Sequence, residues 1–352
     1  MSAADELLGP FLRLLKDVAS IDAVRAAEDG PAPTDMWEAI IASGFADALI
    51  SEQCGGAGLS MADVHPLFVA CGQHLLPPAL GQTMLARALI SSAGQIVPNQ
   101  AIVLWPESPD GQLRSLVPPA AGEGTMALTQ CGSVFEVRKL RVIPECIDGF
   151  GLLSATLAEV QPLISFEVSG VDLLDYAAAS VAATMAGAMT TMVDMSLAFA
   201  NERQQFGRAL SAFQAIQHQL SVACEEVVLA TTASRIAFTS TDIAIDPIRA
   251  AIAKAIANDA ASAVCSIAHA VHGAVGITAE YDLQLYSRRL RRWQVSFGST
   301  EFWLRRIGST RLSSDCTNSV DFIRQALGVD TDSDHRSGGL DTFVHDAGDR
   351  HQ

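Results

Sequence analysis

A cation, amides and an aromatic ring stand together at a break between two strongly apolar segments. The cation is Arg203, one amide is Gln205, and the ring is Phe206. Guanidinium and amide groups together bind pyrophosphate and the edge of a nucleotide base. The same cluster also fits a purely structural role, in which Arg203 forms a salt bridge with Glu202 or Glu225. On residue types alone, both interpretations stay open.

Other clusters of reactive residue types favour structural roles. His269 and His272 lie one helical turn apart and could hold a metal ion, but no third ligand with suitable spacing is nearby. The glycine-rich segment 54–58 could cradle a phosphate, yet it lacks a neighbouring Lys or Arg, and a tight turn between helices explains it better. The chain also lacks the GxGxxG, P-loop, HExxH and GxSxG motifs, which argues against the enzyme classes that use them.

The elements that must position these residues change in type along the chain. Residues 1–97 carry helical periodicity, and residues 98–170 hold short strand-like runs separated by Pro, Gly and Asp. Long helical patterns return over residues 171–328, whereas residues 329–352 have no periodicity and are expected to form a disordered tail. The predicted fold class is therefore mainly α with a small β-domain.

The last helical region contains the candidate binding residues. Residues 177–200 are rich in Ala and Thr and predict a fully buried helix of a bundle rather than a membrane span. A stripe that steps from Phe206 to Val227 by three or four residues predicts one buried helical face. A further helix is expected to stop at Gly273, and the next one to carry an Arg-rich outer face from Arg288 to Arg292.

Charge and cysteine content limit the partners and the compartment. The 352 residues include 23 Lys and Arg against 39 Asp and Glu, which gives a formal net charge of −16. This acidic excess excludes a basic groove for nucleic acid. Seven cysteines without a CxxC pair are typical of reduced, buried thiols in a cytoplasmic protein. The N-terminus lacks the positive flank and apolar run of a signal peptide, so we expect no export.

Three stretches of the sequence resemble motifs of the acyl-CoA dehydrogenases. Residues 201–207, followed by residues 213–218, are similar to the family's ERxQFG and FQxxQH signature. Residues 272–280 resemble its QxHGGxGxTxE element, and residues 51–60 resemble its PEExGGxGLS loop. The resemblance implies the family's fold, which has an N-terminal helical domain, a middle β-domain and a C-terminal four-helix bundle.

In that family FAD oxidises an acyl-CoA thioester. A base removes the α-proton while the β-hydrogen passes as hydride to the flavin. The resemblance implies contacts with a flavin bound to the neighbouring subunit at Arg203, Gln205 and Phe206, and further cofactor contacts at Gln214, Gly273 and Ser299. Ala270 and Ala274 stand where the family has Gln and Gly, which removes an amide and adds a methyl group.

The catalytic base of the family has no counterpart at its usual positions. Phe297 stands where the C-terminal glutamate is expected, and Ala177 occupies the alternative position on the first bundle helix. Asp172 and Asp175 lie within two turns of Ala177, but their register turns them to another face of the helix. The remaining weak candidate, Glu301, is expected in the cap of the following helix. Asp175 and Glu301 are therefore the candidate substitutes for the base.

The middle domain also lacks the family's flavin-gripping runs and is short. Groups that reach a neighbour's flavin are thus kept, whereas those that bind a flavin within the chain are missing. By resemblance this pattern implies the base-lacking subunit of a heteromeric dehydrogenase, similar to those that act on steroid side-chain CoA thioesters. Its expected partners are an acyl-CoA thioester, a second subunit of the family and an electron-transfer flavoprotein or similar acceptor.

Two other hypotheses remain at this stage. The chain could be a self-sufficient homo-oligomeric dehydrogenase with a displaced base such as Asp175. It could also be a flavin-free scaffold or acyl-CoA-binding protein, in which the Arg203 cluster is a structural salt bridge. The small-residue bundle helices imply subunit packing in every case, and a dimer of dimers is expected.

Overall fold

The computed structural model of the chain describes these residues: 3–29, 34–76, 79–106, 124–147, 153–157 and 161–328. The chain divides into two units, residues 1–309 and residues 310–352. The tail predicted at 329–352 lies outside the described residues. The predicted fold class, mainly α with a small β-domain, is confirmed by the elements that follow.

Five helices of the described chain precede the sheet: α1 (Ala3–Val18), α2 (Ile21–Asp29), α3 (Thr34–Ala42), α4 (Met61–Gln73) and α5 (Ala79–Ser92). The glycine-rich segment before α4 forms a short 3-10 turn (Glu52–Cys54), which agrees with its structural interpretation. A capping box then starts α4: Ser60 Oγ accepts a hydrogen bond from the N–H of Asp63, whose carboxylate accepts one from the N–H of Ser60.

A five-stranded sheet comes next: β1 (Ile102–Trp105), β2 (Met126–Cys131), β3 (Val134–Ile147), β4 (Leu153–Leu157) and β5 (Ile164–Glu167). β1 and β2 are parallel, and β3 pairs antiparallel with β2, β4 and β5. Phe135 of β3 lies opposite Phe166 of β5, and their rings stack with centroids 5.6 Å apart. The sheet is small, as the interrupted apolar runs predicted.

Six helices of the described chain follow the sheet: α6 (Leu173–Glu202), α7 (Gln214–Ala237), α8 (Pro247–His272), α9 (Leu283–Val295), α10 (Thr300–Ser313) and α11 (Ser319–Leu327). Asp172 caps α6, because its carboxylate accepts a hydrogen bond from the N–H of Leu174. The helix packs against α4, α7 and α8. It is the central helix of the core.

Two apolar helices of the described chain are long enough to cross a bilayer. One is α6, and its most apolar window is 89% buried inside the protein. This agrees with the predicted buried helix of a bundle. The other spans residues 247–277, with 44% of its window buried. Its exposed large apolar side chains, Val275 and Ile277, lie in the turn after α8 and not on the helix itself.

α4 and α6 cross with their backbones in direct contact. A Cβ atom on Gly72 would lie 1.8 Å from the carbonyl oxygen of Thr184, and one on Gly187 would lie 1.9 Å from that of Val69. Neither position has room for a side chain, so the crossing requires both glycines. The N-terminal helices are thereby fixed against the helix that leads into the candidate site.

A buried ion cluster joins α2 to α9. The Glu28 carboxylate pairs with the guanidinium groups of Arg289 and Arg292, and the latter pair is 2.6 Å apart. All three side chains are at most 3% exposed. The predicted Arg-rich outer face of α9 is therefore wrong for these two arginines. Their acidic partner lies far away in the sequence, so local periodicity could not reveal it.

The cysteines depart from the expected burial. The six whose side chains the structure describes are all free thiols. Cys54 and Cys131 are exposed, and only Cys71 and Cys265 are buried. The prediction of buried thiols is therefore wrong for most of them, because Cys54 lies in a 3-10 turn and Cys131 lies at the exposed end of β2.

Candidate functional site

The Arg203 cluster forms a β-hairpin between α6 and α7. Arg203 ends α6, and the short strands β6 (Gln204–Gln205) and β7 (Arg208–Ala209) pair antiparallel. Phe206 and Gly207 make the two-residue turn with positive φ angles of 53° and 79°. Positive φ at both positions is the signature of a type I′ turn, which suits a tight hairpin. The hairpin therefore holds this cluster out from the end of the bundle.

The side chains of this hairpin face away from their own core. Arg203 and Gln205 are exposed, and Phe206 is 93% exposed. The predicted buried stripe that began at Phe206 is thus wrong at its first position, because the chain there turns as a hairpin instead of continuing as a helix. The guanidinium of Arg208 stacks 3.9 Å from the ring centre of Phe213, and this contact links the hairpin to the residue that precedes α7.

The structural alternative for Arg203 is not formed in the described chain. Neither Glu202 nor Glu225 lies within ion-pair distance of its guanidinium among the described residues. Gln214, another expected cofactor contact, begins α7 and is exposed as well. The polar groups that sequence analysis selected are therefore available at the surface of a single chain.

The glycine element lies at the same end of the bundle as the hairpin. α8 ends at Gly273, which has a φ of 61°, and a 3-10 turn (Gly273–Ile277) follows. Phe199, one turn before Arg203, packs its ring 4.4 Å from the ring of His272, the residue before Gly273. The hairpin motif (residues 201–207) and the glycine element (residues 272–280) are thus joined by the contact between the rings of Phe199 and His272.

His272 plays a structural part in this junction. Its ring lies between Phe199 and Tyr281, and its Nδ1 donates a hydrogen bond to the carbonyl oxygen of Ala268 at 2.8 Å. Burial lowers the pKa of His272. Within the described residues, no group of three or more potential metal ligands is found.

Ala270 and Ala274 are exposed beside these motifs. Ile277, at the end of the 3-10 turn, is 70% exposed. A surface with a guanidinium, amides, an aromatic ring and apolar side chains is therefore open at this end of one chain. Such a mixture is typical of a surface that another molecule covers.

The loop that carries Phe297 joins α9 to α10 in a strained conformation. Phe297 and Gly298 have φ angles of 56° and 101°. The indole Nε1 of Trp303 donates a hydrogen bond to the Phe297 carbonyl oxygen at 3.0 Å. A phenylalanine with positive φ is uncommon and persists only where surrounding contacts hold it.

A buried lysine provides much of that hold. Lys254 of α8 is fully buried, and its Nζ donates to the carbonyl oxygens of Trp293 at 2.9 Å and Gly298 at 3.3 Å. It also contacts Asn258 Oδ1 at 2.5 Å, while Asn258 Nδ2 donates to the Gly298 carbonyl oxygen at 3.2 Å. Burial lowers the pKa of Lys254 to about 7.

Sequence analysis missed Lys254 and Asn258. The available signal was one cation and one amide, spaced one turn apart, within an Ala- and Ile-rich part of α8. A buried polar side chain must find partners, and here the partners are backbone oxygens of the loop. We call Lys254 and Asn258 the loop clamp.

Phe297 leaves no carboxylate on the clamped loop. Its side chain is half-buried and packs against an apolar cluster that includes Leu174, Ala178 and Trp303. A benzene ring accepts no proton, so general-base catalysis is not available from this position. Ser299, two residues later, accepts a hydrogen bond from the N–H of Phe302 at 3.3 Å and so caps α10.

Asp175 is buried in an ion pair instead of facing an open cleft. Only 1% of it is exposed, and Arg306 contacts both its carboxylate oxygens at 2.9 Å. Arg306 also pairs with Asp172 at 3.2 Å. Burial raises the pKa of Asp175 to about 7 and the charge of Asp172 raises it too, whereas Arg306 lowers it. The Asp175 carboxyl group is therefore fixed in place by its ion pair with Arg306.

Glu301 differs from Asp175 because its carboxylate is exposed to solvent. It lies in the first turn of α10 rather than at its cap, is highly exposed, and pairs with Arg305 at 2.6 Å. An exposed carboxylate on a helix surface keeps its ordinary solvation and gains little from such a pair. Neither substitute candidate therefore lies on the loop of Phe297.

A cavity of about 410 Å³ lies near the start of α6. Its lining residues are Pro106, Gln130, Gly132, Asp172, Leu174, Phe302 and Arg306. Gln130 uses its amide internally: Nε2 donates to the carbonyl oxygens of Val171 at 2.7 Å and Gly132 at 2.9 Å, and Oε1 accepts from the N–H of Leu173 at 2.7 Å. Among the described lining residues of this cavity, the charged groups are the Asp172 carboxylate and the Arg306 guanidinium, which already pair with each other.

Comparison with known proteins defines the class to which this site belongs. Residues 169–312, which contain α6 to α9 and most of α10, match the family model described as acyl-CoA dehydrogenase, C-terminal domain. Together with the relatives below, this match confirms the resemblance to the acyl-CoA dehydrogenases that the sequence motifs show.

The relatives cover most of the chain. Acyl-CoA dehydrogenase IpdE2 of Mycolicibacterium smegmatis is 29% identical over 87% of this chain and 98% of its own length. The structure titled Tcur3481-Tcur3483 steroid ACAD is 21% identical, with a TM-score of 0.73, and covers 88% of this chain and 97% of that one. The ChsE4-ChsE5 complex from Mycobacterium tuberculosis is 18% identical, with a TM-score of 0.72, over 90% and 99% of the two chains. At these identities the structures show a shared fold.

Proposed function

We propose that this chain is the base-lacking subunit of a heteromeric FAD-dependent acyl-CoA dehydrogenase. In this account a second family member holds most of the flavin and supplies the carboxylate that removes the α-proton of the thioester. The present chain supplies the hairpin at residues 203–209. The observation that carries the proposal is the outward exposure of Arg203, Gln205 and Phe206 on that hairpin.

The hairpin fits the family's cofactor when the flavin belongs to another chain. The Arg203 guanidinium suits a pyrophosphate, the Gln205 amide suits a polar edge, and the Phe206 ring offers an apolar face. When bound, FAD supplies the hydride acceptor for the β-hydrogen. The residues of this chain bind and orient that group, and they help to exclude water from it.

The cavity at the start of α6 does not fit FAD within one chain, as far as its described lining goes. Asp172 places a carboxylate on its wall, and Arg306 is committed to Asp172 and Asp175. Gln130 has used its amide on backbone groups. A pyrophosphate would meet negative charge there instead of free donors, so this cavity takes no part in the proposed reaction.

The Phe297 loop also supports a base that comes from the partner subunit. The loop clamp preserves a rigid backbone at the place where the family carries its base, yet the side chain on it is apolar. The proton must then leave through a carboxylate of the partner subunit. Bound FAD would supply the hydride acceptor, and an electron-transfer flavoprotein or similar acceptor would take up its electrons.

Substrate and assembly follow from the relatives as proposals. The steroid acyl-CoA dehydrogenase among the structural neighbours supports a steroid side-chain CoA thioester as substrate. The ChsE4-ChsE5 complex, which pairs two different chains, supports a heteromer. We place the assembly in the cytoplasm, as a dimer of dimers.

A second function keeps one specific observation in its favour. Asp175 has a pKa raised to about 7, which is the range that suits a general base. A self-sufficient dehydrogenase with Asp175 as displaced base would use it. Its ion pair with Arg306 and its distance in sequence register from Ala177 argue for a structural role instead.

Flavin content of the complex tests the proposed function. The chain is co-expressed with an acyl-CoA dehydrogenase homologue encoded beside it, as wild type, as Arg203→Gln with Phe206→Ala, and as the exposed control Arg13→Gln. We expect the hairpin variant to assemble but to lose most of the flavin per complex, while the control keeps it. Equal flavin in all three complexes would contradict the role of the hairpin.

A further inference from the structure

A second cavity lies between α8 and α9, with a volume of about 350 Å³. Its lining residues are Cys265, Ser266, His269, Ser287, Arg288 and Arg291. It shares none of these with the cavity near Asp172, with the hairpin or with the Phe297 loop. Nothing in the proposed function uses it. Volumes of roughly 300–1,000 Å³ are usual for sites that bind small molecules.

The two arginines of this cavity lack a close acidic partner. Arg291 donates to Gln294 Oε1 at 3.1 Å, and no carboxylate lies within 4.0 Å of it among the described residues. Arg288 has Glu28 as its nearest carboxylate, at 4.0 Å. That carboxylate already pairs with Arg289 and Arg292.

The result is a local excess of positive charge in a chain whose net charge is −16. Two guanidinium groups on one cavity wall repel each other, and an anion between them removes that repulsion. The arrangement therefore favours an anionic ligand over a neutral one.

Neutral hydrogen-bonding groups complete the cavity. His269 has a pKa lowered by burial and also by the charge of Arg291, so the imidazole is neutral at physiological pH. Its Nδ1 is buried and has no hydrogen-bond partner within the described chain. The hydroxyl of Ser266 lies on the same wall. The Ser266 hydroxyl therefore extends the donor set beyond the two guanidiniums.

We propose that this cavity binds the phosphate group of a small phosphorylated ligand, with Arg288 and Arg291 as its anchors. Guanidinium groups bind phosphate oxygens with charge-assisted hydrogen bonds. A phosphate offers three or more acceptor oxygens, which matches two arginines and a hydroxyl better than the two oxygens of a carboxylate do. The phosphate comes either from the free anion or from a nucleotide, and the remaining volume has room for more than the phosphate itself.

Calorimetric titration of the full chain tests this inference. Inorganic phosphate and ADP are titrated separately, in chloride buffers of equal ionic strength. Wild type should bind at least one of them at a single saturable site. Arg291→Gln should weaken that binding by about tenfold or more, as expected for loss of a charge-assisted bond. The control Arg13→Gln should bind as wild type does, and Arg203→Gln is titrated beside it to detect any binding at the hairpin.

Each outcome decides the matter. Binding of phosphate assigns the site to the free anion, and binding of ADP alone assigns it to a nucleotide, provided that Arg291→Gln weakens either. Absence of saturable binding, or equal binding by Arg291→Gln, would overturn the inference. Loss of ADP binding in Arg203→Gln alone would place the ligand on the hairpin and overturn it too. If Arg291→Gln fails to fold, Ser266→Ala replaces it, with several-fold weaker binding expected.

Discussion

Lys254 donates a hydrogen bond from its fully buried Nζ to the carbonyl oxygen of Gly298 at 3.3 Å. The bond fixes the backbone of the loop on which Phe297 stands in a left-handed conformation. The loop clamp fixes the backbone of this loop, whereas the apolar side chain of Phe297 offers no group for acid–base chemistry.

Lys254→Met should destabilise the fold through this clamp. The carbonyl oxygen of Trp293 would lose its lysine donor, and that of Gly298 would keep only Asn258. Each buried group left unpaired costs about 1–3 kcal/mol. Urea unfolding should therefore give a free energy of unfolding lower by roughly that amount. The matched control, Lys16→Met in the last turn of α1, should stay close to wild type. Equal losses in both variants would contradict the clamp.

The lowered pKa of Lys254 predicts a pH dependence of stability. Between the folded pKa of about 7 and the unfolded value near 10.5, the unfolded chain binds a proton that the folded chain does not. Stability should therefore rise with pH in this window, with a slope of up to about 1.4 kcal/mol per pH unit. Lys254→Met should lack this rise when unfolding is compared at pH 7.5 and pH 9. A parallel rise in the variant would contradict the assignment.

Glu28→Gln should cost more than a surface substitution. It leaves Arg289 and Arg292 buried with a neutral amide, and breaking a buried pair from one side typically costs about 3–5 kcal/mol. Thermal unfolding should show a large drop in the melting temperature, whereas Glu301→Gln, at an exposed pair, should show little. A melting temperature unchanged by Glu28→Gln would show that the cluster does not hold α2 on α9.

Asp175→Asn separates the two functional hypotheses. Its folded pKa of about 7 lies above the unfolded value near 3.8, so the folded chain binds the extra proton between these values. Stability relative to the Asn variant should therefore fall as the pH rises from about 4 to about 7. If Asp175 is structural, the co-expressed complex keeps its rate of flavin reduction by acyl-CoA. Loss of that rate, with the complex still assembled, would favour the displaced base.

Much of the fold could be predicted from local patterns, because each pattern lies within one element. The buried character of α6 and the end of α8 at Gly273 follow from composition and from a glycine that accepts positive φ. Phe206 was misassigned because its spacing from Leu210 also fits a helix. The turn needs Gly207 and the extended backbone at Gln205, which apolar periodicity does not register.

The site depends on contacts between distant parts of the chain, and these were less predictable. The motif residues Arg203 and Gly273 could be selected by resemblance, but the ring contact between Phe199 and His272 that joins their ends could not. The loop clamp was invisible as well, since Lys254 meets its backbone partners only after α8, α9 and α10 have packed. Absence of a carboxylate at Phe297 was readable directly, because it is a property of one residue.

The visible spectrum of the purified chain, alone and after co-expression with the neighbouring family member, tests the central claim most directly. The shared-site account predicts almost no flavin absorbance in the chain alone and strong absorbance in the pair, where acyl-CoA then bleaches it. Strong flavin absorbance in the chain alone, bleached by acyl-CoA without any partner, would contradict the account and leave a complete active site to be found within this chain.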